Sequence, residues 1–271
     1  PFLLLTALAL PTFAQDKPKP LRVLLITGGC CHDYAKQKDI LKQGLEQRAN
    51  VVVEQVHSDD KSTKPPLAIY GNAEYAKGFD VVIHDECSAD IKDPQTVKAV
   101  LAPHVEGVAG VNLHCAMHSY RVGSPGKPHP EGSPEAMWFE YLGLQSSGHG
   151  PQLPIEITYT DTKHPITSGL TGWTTGKEEL YNNVKVLDGT IALARGKQGA
   201  GDKPGQNEAV IAWANIYGEK KTRVFSTTLA HNNDTVSDDR YLSLVTRGVL
   251  WAADKLNEDG TPKEGYAPAA K

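Results

Sequence analysis

The feature that most constrains this chain is the rhythm of its first half, where short β-branched runs recur with helical patterns between them. Arg22 to Ile26, Val51 to Val56, Asp80 to His84 and Gly107 to Leu113 read as strands, each an apolar run bounded by turn residues. Ala35 to Gln47 keeps Ile40, Leu41 and Leu45 at helical spacing, and Asp93 caps a helix that starts with Pro94 and runs to Ala102. Strands linked through helices run parallel, because right-handed crossovers return the chain to the same edge of the sheet. Strands apolar on both faces need cover on both sides. The predicted fold is therefore α/β, a doubly wound, flavodoxin-like, mostly parallel sheet. Its ligand site should lie beyond the carboxyl ends of the strands.

The second half adds further strands at Ile155 to Tyr159, Val184 to Val186, Ile191 to Ala194, Ala209 to Ala214 and Arg223 to Thr227, then a closing helix from Asp238 to Leu256. Between the halves, the Gly/Pro-rich stretch Arg121 to Ala136 is long for an ordered loop, and a lid beside the fourth strand is its expected role. No internal repeat interrupts residues 21 to 256, which read as one domain. Phe2 to Leu10 is an apolar run followed by Thr12 and Ala14 at small-residue cleavage positions, the pattern of an export signal whose start is truncated. Residues 1 to 14 are thus expected to be clipped, 15 to 20 to form a linker and 257 to 271 a solvated tail, giving a periplasmic or secreted protein. The apolar run is too short to cross a bilayer. A net charge of −4 without a basic stripe argues against nucleic acid as a partner.

Strand ends collect the reactive side chains. Cys30, Cys31, His32 and Asp33 follow the first strand; His84, Asp85, Glu86 and Cys87 close the third; His114, Cys115, His118 and Ser119 follow the fourth. Parallel strands put these segments on one rim, which holds all four cysteines. For the cysteines three states stay open: a bridge from Cys30 or Cys31 to Cys87, free buried thiols, or a thiolate metal site. Adjacent Cys30 and Cys31 are poorly placed to pair with each other, and no C-x-x-C pair supports a zinc ribbon. His114 and His118 are four apart, a spacing that on an α-helix lets two imidazoles share a divalent metal such as zinc or manganese. P-loop and dinucleotide fingerprints are absent. Cys115 followed by His129-Pro130-Glu131 lacks the Gly-x-Cys-x-Gly elbow of a glutamine amidotransferase.

The ordered blocks RVLLITGGCCHD, FDVVIHDEC, GVAGVNLHCAMHS, MWFEYLG, SGHG, DTKHPITSGL, KEELYNN, TRVFSTTLAHNND and VTRGVLWAAD resemble those of the trehalose-utilisation, or ThuA-like, family. The resemblance spans about residues 21 to 254. It implies a class I glutamine-amidotransferase-like version of the flavodoxin fold without that family's triad, and an association with carbohydrate breakdown. Carried over by position, the recurring polar residues are His32, Asp33, His114, Ser119, His149, His164, Glu179 and His231. His164 precedes a proline, and a turn-shaping role stands beside a functional one. Trp138 and Tyr141 read as core.

The leading expectation is an exported enzyme acting on a sugar or keto-sugar. His32, Asp33, His114, His118, His149, Glu179 and His231 would transfer protons, with Asp85, Glu86, Ser119, Tyr181 and Asn232 contacting substrate. A metal on His114 and His118 would assist. Two alternatives are a non-catalytic carbohydrate-binding or accessory protein and a thiol hydrolase using Cys115. Self-association of the chain stays open.

Overall fold

The computed structural model describes residues 18–199 and 207–268. The expected export segment, residues 1–14, lies outside the described residues. Twelve strands occur among those described: β1 (Leu21–Gly29), β2 (Val51–Ser58), β3 (Val81–Cys87), β4 (Ala109–Leu113), β5 (Leu144–Gln145), β6 (His149–Leu153), β7 (Ile155–Tyr159), β8 (Glu178–Tyr181), β9 (Lys185–Val186), β10 (Ile191–Gln198), β11 (Glu208–Tyr217) and β12 (Thr222–Thr227). The α-helices are α1 (Tyr34–Glu46), α2 (Pro94–Val105), α3 (Met137–Leu142), α4 (Asn233–Val236) and α5 (Asp239–Ala252).

Eight strands form one sheet in the order β2-β1-β3-β4-β12-β11-β10-β7. The first five are parallel and the last three antiparallel. Strand period decides which layer each side chain enters. Val23 and Leu25 of β1 join Val81, Ile83 and Val111 under Leu41 and Leu45 of α1 and Leu244, Val245 and Val249 of α5. Leu24 and Ile26, one residue out of phase, face the opposite layer with Val82, Val97 and Leu101 of α2, Trp138 and Tyr141. At about 1.5–3 kcal/mol for each fully buried large apolar side chain, these two layers hold the sheet rigid. Its carboxyl edge becomes a fixed platform.

Three expectations change. First, β1 and β3 run on to Gly29 and Cys87, because ladder pairing continues through Gly28 with Ser58 and Glu86 and through Gly29 with Cys87. Second, the 121–136 loop is no lid over that edge. Gln145 Nε2 donates to Pro125 O and Lys127 O, and Glu140 accepts from the Gly132 N–H at 2.6 Å, so the loop is tied down beside α3 and β5. Third, residues 257–268 are not a free tail. Asn50 donates to Tyr266 O at 2.9 Å, and Lys255 lies over the Tyr266 ring. Among the described residues no helix is long and apolar enough to cross a membrane.

Candidate functional site

Four elements deliver four ligand-type side chains to one point on the carboxyl edge. After β1 the chain turns through Gly28 and Gly29 at φ +135° and +102°. A Cβ on Gly29 would collide with Cys87 O, so only glycine lets β1 end this close to β3 and aim His32 inward. His114 starts a 3-10 turn, His114–His118, directly after β4. Glu179 comes from β8, where strand alternation sends Glu179 and Tyr181 one way and Glu178 and Leu180 the other. His231 follows β12 and Ala230, whose φ of +108° turns the chain back over the sheet edge.

His32 Nε2 lies 3.0 Å from His114 Nε2 and 3.1 Å from His231 Nδ1. Glu179 reaches His231 Nδ1 at 3.3 Å with one oxygen and His114 Nε2 at 3.6 Å with the other. One atom from each of the four lies within 4.8 Å of the rest. His114 Nδ1 donates to Thr228 O at 2.6 Å, which leaves its Nε2 as a bare lone pair facing the cluster. His32 Nδ1 meets Tyr34 Oη at 3.0 Å, and where the imidazole donates to that hydroxyl its Nε2 also faces the cluster as a lone pair. Burial, reinforced by His231, pushes His32 down to about 4, and burial with His32 holds His114 well below the usual imidazole range. Burial also opposes charge on His231 and favours the neutral acid at Glu179. Their mutual hydrogen bond outweighs it, raising the imidazole and lowering the carboxyl. The point therefore holds neutral imidazoles at His32 and His114 beside an anionic Glu179 whose charge favours the protonated form of His231.

The remaining expected residues divide. His149 flanks the cluster, Nε2 3.5 Å from Glu179, with its Nδ1 proton on Gly150 O and much of its ring open to solvent. Asn232 lines the cleft beside His231. Tyr181 is buried, stacked 4.2 Å from His118, with its hydroxyl 3.4 Å from His114 Nε2. His118 does not share a point with His114: its Nε2 bonds Ser146 Oγ at 3.0 Å. Asp33 turns to Asn233 and Lys36 at the start of α1. Asp85 is buried beside Thr27, and Glu86 is enclosed by Tyr70, Tyr120 and His84, so neither reaches the cluster. Ser119 ties the Ser88 N–H to Glu86 O and acts as a staple. His164 accepts from the Ile166 N–H in a turn against Trp251. Trp138 and Tyr141 are core, as expected.

Two functional partners escaped the sequence reading. Tyr34 orients His32, and the buried Glu178 carboxylate accepts the backbone N–H of His231 at 3.0 and 3.1 Å. The only signal for Glu178 was the acidic doublet in a strand.

The cysteines also depart from expectation. Cys30 bonds Cys31, and Cys87 bonds Cys115. Adjacent β3 and β4 bring the Cα atoms of Cys87 and Cys115 to 5.1 Å, inside bridging range, so Cys87 pairs across to the fourth strand and not to the first. Cys115, so bonded and buried, offers no thiolate for the hydrolase alternative.

An open cleft of about 380 Å³ leads to the cluster, lined by Cys31, His32, Asp33, Lys61, His231 and the Asn232-Asn233 pair. A larger cavity of about 550 Å³ lies among Phe79, Leu101, Val105 and Tyr217. It is apolar and carries no group from the cluster, so size does not mark the site here.

Fold and site together define a flavodoxin-like, glutamine-amidotransferase-like domain with a histidine–carboxylate cluster at its carboxyl edge. The trehalose-utilisation (ThuA) family model matches residues 22–252, and the chain belongs to that family. A ThuA-like protein of Parabacteroides merdae aligns at 20% identity and a TM-score of 0.62, covering 91% of this chain and 98% of that one. A ThuA-like protein of Bacteroides uniformis aligns at 15% identity and a TM-score of 0.58, covering 88% and 96%. A GMP synthase component of Thermoplasma acidophilum shares the fold at 11% identity and a TM-score of 0.50, covering 87% and 94%. No curated protein matches.

Proposed function

We propose that this ThuA-family protein is an exported enzyme acting on a sugar or keto-sugar, and that His32, His114, Glu179 and His231 hold a divalent cation such as zinc or manganese. One observation carries the reading: ligand atoms of three histidines and one carboxylate converge within 4.8 Å. Bonds of about 2.0–2.1 Å to a cation place neighbouring ligands roughly 3.0–3.4 Å apart; His32 Nε2 stands 3.0 and 3.1 Å from the other two imidazoles, the two Glu179 oxygens stand 3.3 and 3.6 Å from His231 and His114, and the whole set lies within 4.8 Å. The donor chemistry fits as well. Thr228 O holds His114 as a neutral lone-pair donor, and Tyr34 Oη gives His32 an outer partner, as metal-binding imidazoles typically have.

When bound, the cation supplies a Lewis acid that stabilises negative charge developing on a substrate oxygen. The chain's own residues do the rest. His149 keeps its Nδ1 proton on Gly150 O and presents Nε2 at the solvent side of Glu179, where it takes a proton from one substrate position and returns it to another. Asp33, Lys61, Asn232 and Asn233 supply acceptors and donors along the cleft for sugar hydroxyls. The acid and base groups stand in hydrogen-bond reach of one another, which favours catalysis over a purely binding role.

The test is metal analysis of the purified protein, then a screen of plain and oxidised disaccharides with and without chelator. A stoichiometric divalent cation is expected, with activity lost on chelation and restored by its return. His114→Ala should lose the cation and at least a hundredfold in turnover, while His149→Gln should keep the cation and lose roughly 10²–10⁴-fold. A metal-free preparation that remains fully active would sink the metal assignment.

A further inference from the structure

The four cysteines do more than form two separate bridges. Cys30 Sγ lies 3.6 Å from Cys87 Sγ, so the two bonded pairs touch each other. Sulfurs of Cys30, Cys31 and Cys87 fall within 4.8 Å of one another, and Cys115 is bonded to Cys87. Two structural staples gain no more than ordinary van der Waals packing from such contact. A single cation gains more: metal–sulfur bonds of about 2.3 Å in a tetrahedral site place sulfurs roughly 3.8 Å apart.

The backbone holds this convergence independently of the sulfur–sulfur bonds. Cys30 leaves β1, Cys87 closes β3 and Cys115 follows β4, three neighbouring parallel strands. Gly29 brings the first of these against Cys87 O, closer than any residue with a Cβ allows. Tyr34 packs on Cys87 and Cys115 and shields them, while Cys31 stays exposed at the cleft. Reagents therefore enter at Cys31.

We propose that Cys30, Cys31, Cys87 and Cys115, once reduced, form one thiolate site for a soft closed-shell cation, Cu(I) or Zn(II), beside the histidine–carboxylate cluster and separate from it. Thiolate donors select such cations over harder ones. Formation balances as follows. Each of two external dithiols gives two electrons to one disulfide and leaves as its own disulfide. The four thiols that result release protons to solvent as the cation binds. The reading does not rest on the catalytic function proposed above, because His231→Ala leaves all four sulfurs in place.

The experiment uses the whole chain, reduced with a dithiol under anaerobic conditions, freed of reductant and titrated with Co(II) as a spectroscopic stand-in for Zn(II), with Cu(I) in a parallel arm. Reduced His231→Ala protein should bind one equivalent of Co(II) with the intense near-ultraviolet thiolate-to-cobalt charge-transfer band that a histidine–carboxylate site cannot give. Cu(I) should displace it. Reduced Cys31→Ser and Cys87→Ser chains should lose the band or weaken Co(II) binding at least tenfold, and the oxidised wild type should show no band. Circular dichroism before and after reduction separates a site from a pair of staples. Unfolding on reduction, Co(II) uptake without the band, or an unchanged band in both serine variants would each overturn the proposal.

Discussion

Tyr34 contributes one hydroxyl to the site, and that hydroxyl can be removed without touching the packing. It meets His32 Nδ1 at 3.0 Å while the ring lies buried against Cys87 and Cys115. Tyr34→Phe should leave the fold intact and weaken cation affinity about 10–100-fold, the usual cost of losing an outer partner of a ligating imidazole. Calorimetric titration of the cation into the metal-free variant checks it; unchanged affinity would show that His32 needs no such partner. The same scale explains what the sequence revealed. His32, His114 and His231 were legible as ligand-type side chains just past strand ends, whereas Glu179 was reached only through the family resemblance. Tyr34 was not legible, since an aromatic at a helix start reads as core. His118 was misjudged through the wrong period. On an α-helix a residue four positions on lies about 40° round, but in the observed 3-10 turn it lies roughly 120° round, so its ring finds Ser146.

Among the elements, the junction of β1 and α1 decides whether the site forms. Gly29 sits at φ +102°, with the Cys87 carbonyl occupying the space a Cβ would need. Gly29→Ala should destabilise the protein by roughly 2 kcal/mol or more, combining positive-φ strain with a backbone clash. Urea unfolding midpoints measure the loss, and a change below the error of that measurement would mean the junction shifts freely. His32 should then be displaced, and cation affinity should fall with stability. Two adjacent glycines after an apolar run mark a sharp turn in the sequence itself, while the close approach to β3 behind them is invisible there, because it depends on strand order. β8 was less legible still. Four residues without a β-branched side chain give no alternating apolar signal, yet the strand places Glu179 on the cluster and Glu178 under the His231 backbone.

For the whole molecule, the parallel half was legible because strand and helix periods alternate, whereas the antiparallel extension β11-β10-β7 follows from long-range pairing that no local pattern encodes. Packing two layers on that sheet buries imidazoles, and this links stability to pH. Burial, together with His84, pushes His104 down to about 3, where its Nδ1 donates to Val108 O and its Nε2 meets His84. The unfolded chain protonates this imidazole near pH 6.5, and the folded chain does so only near 3. Between those values the unfolded state binds more protons, so stability falls as pH falls, by about 1.4 kcal/mol per pH unit for one such group. Burial of His32, His114 and His118 acts in the same direction in the metal-free protein. The raised carboxyls of Asp85 and Glu178, and the raised His231, act in the opposite one. Total acid sensitivity therefore mixes both signs, but a difference between two chains isolates one residue. Metal-free wild type and His104→Gln, unfolded by urea at steps between pH 6 and 4, should differ in slope by about 1.4 kcal/mol per pH unit, the wild type being steeper. Any constant loss from the altered hydrogen bonds shifts the variant's curve without tilting it. Parallel curves would mean that His104 is already charged in the folded protein, and that the buried contact with His84 is stabilised in some other way.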